Sequence, residues 1–289
     1  MGANDTRSGG GALDLKMKMV FNIDNQVRTQ YLAWLLVPSL AAANPRPLPF
    51  TYTTDTLAEG AVELEQYADL QPLRASSPDA PDKHLSYLAS AFQTEIEIGL
   101  LPRLELGLYF TIVPDPGAGY LDAGEFPGVG SGLKQRLRYV FADLGEWPID
   151  VGVYGELTEK TNEVEVEGKL LLQRRFDRVR IAANLSAEYE FSLENTRAWV
   201  LNPSAGITYE IDPSLSLGLD SWLRRDYADD ATGFNAKTQI YVGPAVMKSF
   251  GKLWWAVGAY LRASDPAHDA QPGESYGKVY VRSMIGYNL

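Results

Sequence analysis

The segment TEIEIGLLPRLELGLYF, residues 94–110, sets the strongest constraint on the fold. Ile96, Ile98, Leu104, Leu106 and Leu108 alternate with Glu95, Glu97 and Glu105 around the short turn LPR at 101–103. A period of two places successive side chains on opposite faces of a strand. The result is a hairpin with one oily face and one ionised face. The same period recurs almost without interruption to the C-terminus. It predicts strands near 59–69, 88–100, 103–113, 132–144, 148–160, 163–176, 178–192, 196–211, 214–226, 237–250, 253–264 and 277–289. These twelve segments are long beside the five or six residues, roughly, of a soluble strand. Helical patterning is nearly absent.

The connections alternate in kind. LPR at 101–103, GEWP at 145–148, DR at 177–178, DPS at 212–214 and GK at 251–252 carry the Gly, Pro and Asp of tight turns. Segments 70–87, 114–131, 227–236 and 265–276 are longer and more polar, while those around Thr161-Asn162 and Leu193-Glu194-Asn195 are short. Short turns at one end and longer loops at the other fit an antiparallel up-and-down barrel across an outer membrane.

Three features turn the oily face outward. Gly99, Gly107, Gly152, Gly206, Gly218, Gly243, Gly258 and Gly286 fall on the polar face, where glycine relieves crowding inside a narrow barrel. Aromatics of the oily face gather near strand ends: Phe176, Tyr209, Phe250, Trp255 and Tyr287 by the turns, and Phe110, Tyr189, Phe191 and Trp199 by the loops. Two such girdles mark the interfaces of a membrane barrel. Finally, lipid accepts the aliphatic side chains directly, and a closed barrel leaves no backbone group unpaired in hydrocarbon. The carboxylates of 94–110 then point into a wet lumen.

Composition narrows the chemistry. A formal charge of -11 argues against nucleic acid as a partner, because phosphate contacts need a basic surface. The absence of cysteine removes disulfides and thiolate sites, and two histidines, His84 and His268, leave no His-rich metal centre. At the N-terminus, Lys16, Lys18 and Arg28 precede the apolar run YLAWLLVPSLAAA at 31–43, which ends in Ala41-Ala42-Ala43. That order is that of a secretory signal. Residues 1–43 are therefore expected to be an extension and signal peptide, removed after Ala43, and 44–289 a single barrel domain.

The chain resembles the twelve-stranded, porin-like outer-membrane proteins of Gram-negative bacteria. DTLAEGAVELEQY at 55–67 looks like the opening strand of such barrels, and VYVRSMIGYNL at 279–289 resembles their C-terminal assembly signal, with Leu289 in place of the usual terminal Phe. The resemblance spans 55–289. It implies a monomer in the cell outer membrane. Its partners would be lipid and lipopolysaccharide, the outer-membrane assembly machinery, and small solutes or ions, with no cofactor or metal.

The lumen is expected to be charged, with its signs segregated. The acidic set is Glu63, Glu65, Glu95, Glu97, Glu105, Asp150, Glu156, Glu165, Glu167, Glu188, Glu190, Glu210 and Asp220. The basic set is Lys134, Arg136, Arg138, Lys169, Arg180, Arg224, Arg262 and Arg282, with Arg282 expected to face Glu63 and Glu65 across the closing seam. The pattern fits an aqueous path that prefers cations. It also fits a salt-bridge network that plugs the interior and leaves a structural or receptor-like barrel working through its loops. Asp229, Asp230, Asp265, His268 and Asp269 could activate a water in the loops. Acidic, solvated loops are the plainer account, and no enzymatic activity is expected. The Gly- and Pro-rich stretch 114–132 either folds inward as a constriction or stays outside.

Overall fold

A computed structural model describes residues 44–77, 80–113, 131–161, 163–192, 197–228, 235–266 and 277–289. Among the described residues thirteen strands form one antiparallel sheet: β1 (Val62–Ser77), β2 (Ala80–Leu101), β3 (Leu104–Ile112), β4 (Gly132–Val140), β5 (Asp150–Lys160), β6 (Glu163–Phe176), β7 (Val179–Ser192), β8 (Arg197–Leu201), β9 (Ser204–Asp212), β10 (Leu215–Ala228), β11 (Asn235–Phe250), β12 (Leu253–Arg262) and β13 (Val279–Asn288). Apart from β8 and β9, which share one place between β7 and β10, each pairs with its neighbours in sequence, and β13 pairs with β1, so the sheet closes into a barrel of twelve staves.

The thirteenth strand arises from a break. β8 and β9 are one stave, and both lie between β7 and β10. Asn202 and Pro203 interrupt it, because proline has no N–H for the ladder. The neighbours still close the gap. The Asn202 N–H donates to the Ser186 carbonyl at 3.1 Å, and the Pro203 carbonyl accepts from the Leu223 N–H at 2.9 Å.

The expected loop at 70–87 is instead a continued ladder. β1 and β2 stay paired from Val62↔Ile98 to Ser77↔Ala80, while β3 reaches only Phe92 and β13 only Leu70. The hairpin therefore projects beyond its neighbours. The polar residues that read as a loop are strand residues, because cross-strand backbone pairing needs no oily face. His84, expected in a loop, stands in β2 opposite Ser76.

The polarity is inverted as the alternation requires. Ile96, Leu108, Leu137, Leu185, Leu219 and Leu261 are exposed, whereas Glu63, Glu65, Glu95, Glu97, Glu105, Arg136 and Asp220 have no accessible surface. On β12 the consecutive Trp254 and Trp255 are 0% and 41% exposed. Phe176, Tyr209, Phe250, Trp255 and Tyr287 ring the short-turn end outside, and Phe110, Phe191 and Trp199 the other. Among the described residues no helix is long and apolar enough to cross a membrane; a closed ladder of strands with an apolar outer face is the other arrangement that hydrocarbon accepts.

Candidate functional site

The lumen holds a segment that precedes the first strand. Residues 44–57 enter beside β1, cross to β9 and β10, and return to the base of β2 and β3. Their composition suits a single chain threaded through a polar interior. Pro45, Pro47 and Pro49 have no N–H to leave unsatisfied. The N–H groups that follow are caught one by one by wall side chains. Phe50 N–H donates to Asp220 Oδ2 at 2.9 Å, Tyr52 N–H to Asn184 Oδ1 at 2.7 Å, Thr54 N–H to Gln173 Oε1 at 3.3 Å and Leu57 N–H to Glu105 Oε2 at 2.9 Å. Asn184 returns a bond to the Tyr52 carbonyl at 3.0 Å, and Thr51 Oγ1 donates to Asp220 at 2.6 Å.

Side chains of this lumenal loop fill the space that the wall leaves. Leu48 is 1% exposed and rests on Gly206 and Gly218. A Cβ at Gly206 would stand 2.7 Å from a Leu48 methyl, so glycine there makes the seat. Phe50 stacks on Trp222 at 4.7 Å, meets Tyr260 and Tyr280 edge-on at 5.0 and 5.2 Å, and lies 4.0 Å below the Arg282 guanidinium. Each aromatic pair contributes about 0.5–1.5 kcal/mol beyond burial. At the base, the Gly60 N–H donates to Gly99 and the Gly99 N–H to Ala61, at 2.8 and 2.9 Å.

One ion network ties the loop to the acidic wall. Arg46 Nη2 lies 3.4 Å from Glu65 and 3.2 Å from Glu95, and it also bonds Glu97. Arg136 Nη2 lies 2.8, 2.6 and 2.7 Å from Glu95, Glu97 and Glu105. Arg138 meets Glu105 at 2.7 Å. Four carboxylates thus share three guanidiniums, all essentially without solvent contact. The oxygens of Glu65, Glu95 and Glu97 come within 4.8 Å of one another, a spacing that would hold a metal ion, but Arg46 occupies the position of the cation. Glu95 and Glu97 therefore grip the loop, in the manner of the salt-bridge network that is one of the two expectations for the charged lumen.

A free space among the described residues lies toward the long-loop end. A cavity of about 380 Å³ is bounded below by Phe50 and Tyr52 and walled by Lys134, Lys160, Lys169, Arg224 and Arg282 facing Glu156, Glu165, Glu167 and Glu188. These charges pair locally: Lys134 with Glu156 at 3.2 Å, Lys169 with Glu167 at 2.8 Å, Arg224 with Glu190 at 2.7 Å, and Lys160 with Glu165. Asn202 Nδ2 donates to Glu188 at 3.1 Å.

Other expected lumen residues take different places. Arg282 does not face Glu63 and Glu65. It stands opposite Asp69 in the β1–β13 register and binds it through two nitrogens at 2.7 and 2.6 Å. The seam pairs Glu63 with Asn288 and Glu65 with Gly286, a register offset that the alternation leaves open. Glu210 is at the short-turn rim, paired with the half-exposed Arg175 at 2.6 Å. Asp150 accepts the Gly145 N–H at 2.7 Å and closes the turn before β5. Arg180 reaches the loop, 2.6 Å from Asp55. Arg262 is half-buried at the far end of β12, opposite Tyr241. Asp229, Asp230, His268, Asp269 and residues 114–130 lie outside the described residues.

The sequence reading missed Arg46, Asp69, Gln173, Asn184 and the loop itself. The alternation of Pro45, Pro47 and Pro49 beside Arg46 was the available signal.

No family model matches the sequence, and no curated protein matches it either. Solved structures do match. An outer membrane channel from Pseudomonas putida F1 superposes with a TM-score of 0.56 at 14% identity, covering 84% of this chain and 99% of that one. The NanC porin superposes with a TM-score of 0.53 at 9% identity, covering 78% of this chain and all, 100%, of the other. The chain has the fold of the outer-membrane porin-like barrels, with its apolar belt outward and its ionised groups about the axis.

Proposed function

We propose that the protein is a channel for small polar solutes or ions across the outer membrane of a Gram-negative bacterium, narrowed by the loop 44–57. The observation that carries this reading is the polar cavity of about 380 Å³ in the loop-end half, closed below by residues of a loop held largely by side-chain contacts. A loop fixed by hydrogen bonds and one ion network can leave its seat without breaking the barrel ladder. On this reading the protein carries no catalytic site and works as a conduit.

The lumenal acid surplus supports a preference for cations, but a weaker one than the residue list implies. Arg46, Arg136 and Arg138 neutralise most of the basal carboxylates. The cavity wall offers Glu156, Glu165, Glu167 and Glu188 against Lys134, Lys160 and Lys169, because Arg224 and Arg282 are already paired with Glu190 and Asp69. The full chain in a planar bilayer is expected to give small conductance steps with a modest cation bias in a salt gradient. Glu188→Gln with Glu165→Gln should remove that bias. A strong anion bias in the unaltered protein would contradict the assignment.

The filled lumen also favours a second reading, a plugged barrel that acts through its outer loops. A bilayer that stays silent both with the loop and after its removal would support this one.

A further inference from the structure

We propose that hydrolysis of the Ala43–Asn44 bond leaves an α-ammonium group on Asn44 that pairs with the buried Glu63 carboxylate and locks the lumenal loop in its seat. The proposal rests on the reading of loop 44–57 as the element that narrows the path.

Two independent observations meet at this point. In the sequence, a basic stretch and an apolar run end in Ala41-Ala42-Ala43, with small side chains at the two positions a leader-removing peptidase recognises. In the structure, the nitrogen of Asn44 lies 3.0 Å from Glu63 Oε2. Glu63 is 0% exposed, and its other oxygen accepts the Trp254 indole N–H. Among the described residues, no side-chain cation lies within ion-pair distance of Glu63. A carboxylate removed from water is costly unless an opposite charge compensates it, and two neutral donors do so poorly. An ammonium at the position of the Asn44 nitrogen supplies the missing charge.

The chemistry is simple hydrolysis. Water adds across the amide; the new carboxylate departs with Ala43, and the amine stays on Asn44 and takes up a proton. The catalyst is the peptidase class that removes export leaders. The lock acts on the loop because Asn44 is its first residue and also ties its two arms together, Asn44 Nδ2 donating to the Asp55 carbonyl at 3.3 Å. Before cleavage the same nitrogen is a neutral amide, so processing strengthens the seat.

The test uses the full chain, exported in a Gram-negative host and purified from outer membranes. Intact mass and N-terminal peptide analysis should place the first residue at Asn44. The native α-amine should acylate slowly with an amine-reactive acetyl ester, relative to urea-unfolded protein, and Glu63→Gln should abolish that protection. Inserting one glutamine between Ala43 and Asn44, a side chain too large for the last position before the cut, keeps cleavage after Ala43, moves the ammonium by about 3.8 Å and should abolish it too, without touching the barrel wall. A first residue other than Asn44, or equal acylation rates in the native protein and both variants, overturns the proposal. Protection that depends on Glu63 while conductance is the same in all forms upholds the lock and instead refutes the narrowing role of the loop.

Discussion

Removing residues 45–56 should raise single-channel conductance several-fold and swing selectivity strongly toward cations. Both changes come from the same excision. Phe50 and Tyr52 form the floor of the cavity, so their loss joins it to the short-turn end. Arg46 leaves with them, and Glu65, Glu95 and Glu97 lose the guanidinium that lies among them. Water then reaches these carboxylates, and Arg136 and Arg138 remain as their only near cations among the described residues. An acidic ring around a water-filled path attracts cations. The barrel ladder does not run through 45–56, so the variant should keep the heat-modifiable gel mobility of a folded barrel. The milder Arg46→Ala with Phe50→Ala should move both readouts in the same direction. Wider conductance without a shift in selectivity would mean that the basal glutamates do not face the path even when it is clear.

The second large effect is on stability. Arg136→Met should destabilise the barrel by about 3–5 kcal/mol, the scale for removing one partner from a buried ion cluster. Its guanidinium lies within 2.8 Å of Glu95, Glu97 and Glu105, and no part of it is exposed. Methionine replaces the volume but leaves three carboxylates packed together. The matched control is Arg175→Met, which breaks the rim pair with Glu210, whose side chains are 48% and 33% exposed. There the cost should stay within about 1 kcal/mol. Urea midpoints in detergent micelles compare the two. Adding Glu97→Gln to Arg136→Met should recover part of the loss, because one uncompensated charge disappears. Equal, small costs at both sites would show that the basal cluster is hydrated.

Much of this arrangement was legible in the alternation, because lipid selects one face of every strand and water the other. Trp254 and Trp255 illustrate the resolution of that signal: adjacent, chemically identical, and in opposite environments. The break at Asn202-Pro203 and the long β1–β2 ladder were less legible, since both depend on what the neighbouring strands do. The pairing of Arg282 with Asp69 depends on the register at the closing seam, which alternation constrains only in parity. The lumenal loop was the hardest part. It has no period, and its backbone is held by Asp220, Asn184, Gln173 and Glu105, whose distance along the chain from their partners reaches 170 residues. Those four side chains look like ordinary polar-face residues until the loop is seen among them.

Single-cysteine scanning along β7 tests most directly whether the barrel is inside out, and the native chain has no cysteine to interfere. A fluorophore placed in turn at residues 181 to 188 can be read in liposomes of brominated lipid. Labels at Ile181, Ala183 and Leu185 should be quenched by the acyl chains, and labels at Asn184, Ser186 and Glu188, whose exposures are 2%, 7% and 8%, should not. Quenching of the second set with protection of the first would place the ionised face against lipid and contradict the polarity of the barrel.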